Sequence, residues 1–351
     1  MDQEVIIIGG GVAGLSAALE FLRLGKVPTL LEAGSYPTQK VCGEFISPES
    51  LPFLKQWDIN PHPILKSRFQ SGKKEFSLTF PTPAGSLSHL ILDPSLVQHS
   101  LSLGADIRTQ VKVEAIYPKQ QQGHKHLIKL STGEMLSTST LVIAIGRLPG
   151  FLAPLIEPQF LGIKAHFKGI ELANTLEMFG FQGAYLGLSP IEEGKSNLAC
   201  LASIEKVKSA GSVDQFMEKI IQENPHLNEL LASGERLFDN WMTASVPYFG
   251  FKNTPDWQDS YFIGDAALAI PPACGDGLSL GITSGIMAAR YASNQDFVGF
   301  KRDYKAQSSS ILRAAKGLHT LLMNPKLCRM AIQGCTLSPS IGKLLFRMTR
   351  S

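Results

Sequence analysis

Cysteine is sparse in this chain and poorly spaced for structural duty. Its five cysteines, Cys42, Cys200, Cys274, Cys328 and Cys335, include no Cys-x-x-Cys pair. That spacing argues against a zinc knuckle or a disulfide framework and favours a reduced, cytoplasmic setting. No metal-ligand spacing is present, so no metal is expected. Long apolar runs are also missing. No stretch reaches the about 18 residues a spanning helix needs, and the opening Met1-Asp2-Gln3-Glu4 lacks the basic start of a secretory signal. Charge of one sign is not in excess. A net +3 gives no reason to expect nucleic acid as a partner. There is no internal repeat and no low-complexity tract. What is present is an ordinary globular composition, 44% hydrophobic and 18% charged, in a chain of 351 residues, long enough for two domains.

The strongest local pattern lies at the start. Val5-Ile6-Ile7-Ile8 reads as a buried strand, residues 14–24 as a helix, and residues 28–32 as a second strand. Between them runs Gly9-Gly10-Gly11-Val12-Ala13-Gly14. Gly9 suits the tight turn, Gly11 a close approach of pyrophosphate to the backbone, and Gly14 close packing of helix on strand. Val12 and Ala13 open the helix, whose free N–H groups and positive dipole end suit phosphate. Glu32, followed by Ala33, stands where a carboxylate can accept both hydroxyls of an adenosine ribose. Such a unit binds a dinucleotide but does not distinguish NAD from FAD. Tyr261-Phe262-Ile263-Gly264-Asp265 does: an apolar strand delivers Asp265 to a glycine turn, where it suits the ribityl chain of FAD. Gly275, Gly277 and Leu278 then begin a helix whose positive end favours the negative charge of a reduced flavin. No second fingerprint of the first kind occurs, so no separate NAD domain is expected.

Elsewhere the pattern gives a helix over 95–103 capped by Asp93, strands over 105–117 and 125–130 about a polar turn at 120–123, and a strand over 141–145. The middle reads as strands over 161–168, 171–178, 184–188 and 196–204 with one helix, Val213–Glu223. Two helices follow, over 278–293 and 297–323. The expected fold class is α/β: a Rossmann-like FAD-binding domain with a βαβ unit and parallel sheet, an inserted mixed β-sheet substrate domain, and C-terminal helices. The FAD-binding domain is expected in three pieces, residues 1–70, 89–150 and 255–295. The substrate domain takes 71–88 and 151–254, and the helical segment 296–351.

Together with Lys40-Val41-Cys42-Gly43-Glu44-Phe45-Ile46-Ser47-Pro48 and Gly183-Ala184-Tyr185-Leu186-Gly187-Leu188-Ser189-Pro190, these motifs resemble the superfamily of FAD-dependent monooxygenases and geranylgeranyl reductases, of the para-hydroxybenzoate-hydroxylase fold. The resemblance spans residues 3–290. It implies FAD as cofactor, NAD(P)H as reductant, and a lipophilic small molecule (polyketide, isoprenoid or quinone-like) as substrate. It places Lys40 near the adenosine or pyrophosphate, and Cys42 and Gly43 near the flavin ring. The Cys-Gly-Glu segment is similar to that of the reductase-like branch. Two departures stand out. The usual Asp-Gly pair is replaced by Ala144-Ile145-Gly146-Arg147, with Arg147 a candidate phosphate contact. The basic residue near Leu92-Asp93 is His89 rather than an arginine.

Several side chains have two readings. Glu44 faces the substrate or caps the following turn. Tyr185 is a core residue or a hydrogen-bond donor over the flavin. Cys42 and Cys274 read chiefly as packing residues, His166 as structural, and Asp276 as a shaper of its turn. Residues 340–350 mix apolar and basic side chains, as in a helix packed on the domain or one touching a membrane surface. Three functions are compatible with the whole. The first is an NAD(P)H-driven monooxygenase, the second a flavin-dependent C=C reductase, and the third a non-catalytic flavin- or lipid-binding protein. Oligomeric state is not legible.

Overall fold

The computed structural model describes residues 2–120, 124–150, 152, 156–246 and 248–338. The chain opens with β1 (Asp2–Ile8), α1 (Val12–Arg23) and β2 (Pro28–Leu31), followed by β3 (Phe45–Ile46), α2 (Leu51–Gln56), β4 (His62–Ser71), β5 (Lys74–Ser86) and α3 (His89–Ser102). Four strands come next: β6 (Asp106–Arg108), β7 (Val113–Tyr117), β8 (His126–Leu130) and β9 (Met135–Ile143). The middle holds β10 (Phe160–Lys168), β11 (Thr175–Phe181), β12 (Ala184–Pro190), β13 (Lys195–Ser203), α4 (Ile204–Ala210), α5 (Val213–Glu223), α6 (Pro225–Ala232), β14 (Glu235–Arg236) and β15 (Met242–Val246). The last part holds β16 (Gly250–Phe251), β17 (Ser260–Phe262), β18 (Leu268–Ala269), α7 (Gly277–Ser293), α8 (Phe297–Leu322) and α9 (Pro325–Leu337).

Two large sheets result, and the mixed α/β class is as expected. In the first, β6, β2, β1, β9 and β17 run parallel, and β7, β8 and β9 form an antiparallel meander on its side. Val5, Ile6, Ile7 and Ile8 are all buried, as a strand covered on both faces requires. Each such side chain contributes roughly 1.5–3 kcal/mol by leaving water. Helices α1 and α7 pack together over this sheet. Their approach is close enough that a Cβ on Gly285 would lie 2.3 Å from the Ala13 carbonyl oxygen.

The second sheet has nine strands, ordered β14-β10-β13-β12-β11-β4-β5-β3, with β15 also on β10. Its register sorts the side chains by period two. One face carries Ile163, Ala165, Leu186, Leu188, Leu198 and Ala202 into a core closed by Phe216, Met217 and Ile220 of α5. On the other face, Ala244, Gly162, Leu201 and Tyr185 form one cross-strand row. Lys164, Ala199, Gly187 and Met178 form the next.

The structure corrects several expectations. Strand β4, read with the nucleotide-binding part, pairs with β5 and β11 of the second sheet. Its side chains alternate between exposed and buried, and it has a long-range partner that local sequence does not reveal. The expected 105–117 strand is two, β6 on β2 and β7 on β8. The middle contains three helices rather than one. Helix α3 begins at His89 with Ser88 as N-cap, so Asp93 lies inside it with Pro94. The turn at 120–123 falls mostly outside the described residues, as does the 340–350 segment. Among the described residues no helix is long and apolar enough to cross a membrane.

Candidate active site

A cleft of about 630 Å³ lies between the two sheets. Residues from the first glycine turn, the loop over 34–45, the start of α3, the β17 turn, the start of α7 and the second sheet all line it. The two glycine-rich segments, more than 250 positions apart in sequence, therefore meet at one place.

The first segment takes the expected form. Gly9 has φ +102°, and a Cβ on it would lie 2.5 Å from the Ala144 carbonyl oxygen. A Cβ on Gly14 would lie 2.0 Å from the Gly9 oxygen, so only glycine lets α1 start this close to the sheet. Gly11 is the N-cap of α1 and supplies no side-chain cap, which leaves the first-turn N–H groups of α1 free for an anion. Glu32 Oε2 accepts the Gly10 N–H and Oε1 accepts the Gly34 N–H, each at 2.6 Å. Each oxygen keeps a further lone pair for a ribose hydroxyl. Tyr36 adds a brace by donating its hydroxyl to the Gly10 oxygen at 2.5 Å.

The second segment enters from the opposite side. The Gly264 N–H donates to Ser284 Oγ at 3.1 Å, which fixes the turn after β17 on α7. Asp265 reaches the cleft. The protein packed about it raises its carboxyl pKa, while the Lys252 ammonium pulls the other way. Helix α7 starts at Gly277 with no side-chain hydrogen bond at its cap. A Cβ on Gly277, Gly43 or Gly146 would meet nothing within 4 Å, although all three line the cleft. Glycine at these positions is not required by packing within the chain and leaves backbone open to a ligand. Two uncapped helix starts, one carboxylate at each end and these open glycines suit a dinucleotide carrying a flavin. Val12, Ala13, Cys42, Gly275 and Leu278 also line the cleft. Ala33 does not, being turned aside next to Glu32. Nor does Arg147, whose guanidinium is held on β15 by the Ser245 carbonyl and hydroxyl.

The loop between β2 and β3 forms a polar wall. Lys40 Nζ pairs with Asp93 Oδ2 at 2.6 Å, and His89 Nδ1 with Asp93 Oδ1 at 2.9 Å. The i, i+4 spacing on α3 brings His89 and Asp93 to one face. Burial opposes charge on His89, but Asp93 and the neighbouring Cys42 sulfur prevail and raise its pKa to about 9. Burial likewise pushes Asp93 up, and His89 and Lys40 outweigh it, so its pKa is lowered. Glu44 has no exposed surface and sits at φ +55°. Its Oε1 accepts Lys164 Nζ at 2.5 Å and the His89 N–H at 3.0 Å, and its Oε2 lies 2.8 Å from His166 Nε2. These partners overcome burial and lower its pKa. Glu44 thus neither caps a turn nor stands free for substrate; it ties the loop to the second sheet. Lys164 was missed in the sequence, where the only signal was a lysine inside an apolar strand. His166, read as structural, is one of its neighbours in this tie.

The apolar arm of the cleft is built by Leu176, Met178, Tyr185, Leu201, Val246 and Phe249. Tyr185 is 3% exposed, and its hydroxyl, beside the Ala273 backbone, has no hydrogen-bond partner among the described residues. Burial raises its pKa well above the ordinary tyrosine value. His319 of α8 packs edge-on to Tyr185, Phe160 and Phe249, at 5.7, 5.2 and 5.4 Å between ring centres. Among the described residues no group of three or more His, Cys, Asp or Glu side chains suits a metal ion.

No family model matches the chain. Among curated proteins, it is similar to a ubiquinone hydroxylase of Neisseria meningitidis, 22% identical over 93% of this chain and 75% of that protein. It is also similar to a menaquinone reductase of Mycobacterium tuberculosis, 22% identical over 84% of this chain and 78% of that protein. Among solved structures, a flavin-dependent brominase has the same fold, with a TM-score of 0.84 and 17% identity over 99% of this chain and 93% of that one. Other matches are flavin-dependent halogenases, monooxygenases and geranylgeranyl-reductase-like proteins. The superfamily resemblance read from the motifs is therefore borne out, as is the reading of the chain as an enzyme that uses FAD.

Proposed function

We propose that this FAD-dependent oxidoreductase is driven by NAD(P)H and hydroxylates a flat, lipophilic, quinone- or phenol-like ring in the apolar arm of the cleft. The observation that carries this reading is the cleft-facing surface of the second sheet. Gly162, Gly187, Ala199 and Ala244 leave a shallow floor, large apolar side chains border it, and Tyr185 brings to its edge a buried hydroxyl with no partner. A planar ring fits a floor without side chains, and its oxygen would relieve the cost of the unpaired Tyr185 hydroxyl. The quinone-related names of the matched hydroxylase and reductase support the same substrate class.

In this reading Gly9, Gly11, Val12, Ala13, Gly14, Glu32, Lys40 and Gly43 hold the adenosine and pyrophosphate half of FAD. Gly264, Asp265, Gly275, Gly277 and Leu278 hold the flavin half. When bound, FAD supplies the hydride and oxygen chemistry. The chain's own contribution is placement, an electropositive start of α7 beside the ring, and a water-poor pocket. Tyr185 donates a hydrogen bond to a substrate oxygen and orients the ring.

A second reading, reduction of a C=C bond, draws support from the protic pair Cys42 and His89 on the cleft wall. One experiment separates the two. The FAD-loaded protein is reduced without oxygen by NADH or NADPH, mixed with a short-chain naphthoquinol or naphthoquinone, and then exposed to air. A product heavier by one oxygen, with the flavin reoxidised, supports hydroxylation. A product heavier by two hydrogens, formed before air is admitted, supports reduction. No bleaching of the flavin by either nucleotide contradicts both.

A further inference from the structure

Cys42 lies half-buried on the cleft wall, and its surroundings suit an anion at sulfur. The Glu44 backbone N–H points at Cys42 Sγ from 3.3 Å, and the His89 imidazole lies beside the same sulfur. Behind His89 stands Asp93, with Nδ1 to Oδ1 at 2.9 Å, and behind Asp93 stands Lys40, with Nζ to Oδ2 at 2.6 Å. The other charged groups packed on this wall are engaged away from sulfur, since Glu44 is paired with Lys164 and His166. A thiolate needs an adjacent cation and an N–H donor, and both are here. The cation is His89, which stands where relatives carry an arginine, and a histidine can also give up its proton.

We propose that Cys42 and His89 form a thiolate–imidazolium pair, oriented by Asp93, that serves as the proton-holding group of the cleft. Asp93 and Lys40 are positioning residues: Asp93 fixes the ring so that Nε2–H faces the sulfur, and Lys40 holds Asp93. In a reaction that needs a proton at substrate carbon or oxygen, the imidazolium passes its proton through sulfur to the substrate. That leaves thiolate and neutral imidazole, and water at the cleft mouth restores the proton to the ring. This duty rests on the substrate reading above; the existence of the pair does not.

The test is the titration of Cys42 in the FAD-loaded protein. Iodoacetamide is applied between about pH 5 and about pH 9, a range that spans the ordinary thiol value of about 8.5, and labelling of each cysteine is followed by peptide mass. The thiolate absorbance of the wild type minus that of Cys42→Ser gives the same midpoint without depending on reagent access. The other four cysteines are buried and serve as internal controls, burial alone pushing Cys328 up to about 11. We expect a Cys42 midpoint at least about one pH unit below the free thiol, so roughly tenfold more thiolate on the acid side, and a return toward about 8.5 in His89→Gln. An ordinary midpoint in the wild type, or one that His89→Gln leaves in place, overturns the pair. The proton duty is read separately, in anaerobic turnover of a short-chain naphthoquinone with NADPH. Loss of turnover and a shifted pH profile in His89→Gln support it, and an unchanged profile refutes it. Failure of the wild type to reduce its flavin would defeat the proposed function while the titration still decides the pair.

Discussion

Lys164 has no exposed surface, yet its ammonium holds three acceptors: Glu44, the Gln39 side-chain oxygen and the Lys40 carbonyl. Removing one partner of a buried ion pair leaves the other charge uncompensated, at about 3–5 kcal/mol. We therefore expect Lys164→Met to destabilise the chain by that amount in urea denaturation. Lys164→Met with Glu44→Gln should recover part of the loss, because the stranded carboxylate is gone. His89 sets a pH dependence of definite sign. Its folded pKa of about 9 lies above the ordinary value of 6.5, so the folded state holds the proton more tightly. The stabilisation is complete below about pH 6.5, shrinks as pH rises, and is gone above about pH 9, with roughly 3 kcal/mol at stake. Denaturation at both ends of that window should show the loss in wild type and not in His89→Gln. At this scale the sequence was legible where neighbours in space are neighbours in the chain, as in Gly9, Gly11 and Gly14. It was not legible for Glu44, whose partners Lys164 and His166 lie 120 and 122 positions away.

Helices α1 and α7 show how a local motif depends on a distant element. Gly285 lets α7 lie against the start of α1, and a Cβ there would also fall 2.9 Å from the Ala17 backbone nitrogen. Both clashing atoms are backbone, so neither can move aside cheaply. We expect Gly285→Val to cost about 1–3 kcal/mol by overpacking and to weaken FAD binding by displacing the first turn of α1. Denaturant midpoints and flavin retention check the two effects. Strong periodicity made α1, α5, α7 and α8 readable within a residue or two. Strands β4 and β5 were missed as a hairpin because exposed polar residues interrupt their alternation, and their pairing with β3 and β11 is set by the sheet. Arg147 shows the opposite error: its type suited phosphate, but the strand opposite it, β15, supplied acceptors first.

The whole molecule is two sheets that close on one cleft. The first sheet draws strands from both ends of the chain, since β17 returns to pair with β9 after the second sheet has been built. Such a closure was legible from two glycine-rich signals flanking a stretch of different character. Which face of the second sheet meets the cleft was not, because that follows from register. A cofactor that binds only the folded chain stabilises it by mass action, about 2.7 kcal/mol at a hundredfold excess over Kd. FAD should therefore raise the melting temperature in a concentration-dependent way, and NAD alone should not. The central claim is that the turn after β1 and the turn after β17 grip the same flavin. The most direct measurement is the flavin-to-chain ratio after loading with FAD and gel filtration, for the wild type, Gly11→Asp and Asp265→Ala, with circular dichroism confirming that each is folded. One flavin per wild-type chain and strong depletion in both variants is the expected result. Full retention of flavin in both folded variants would contradict it.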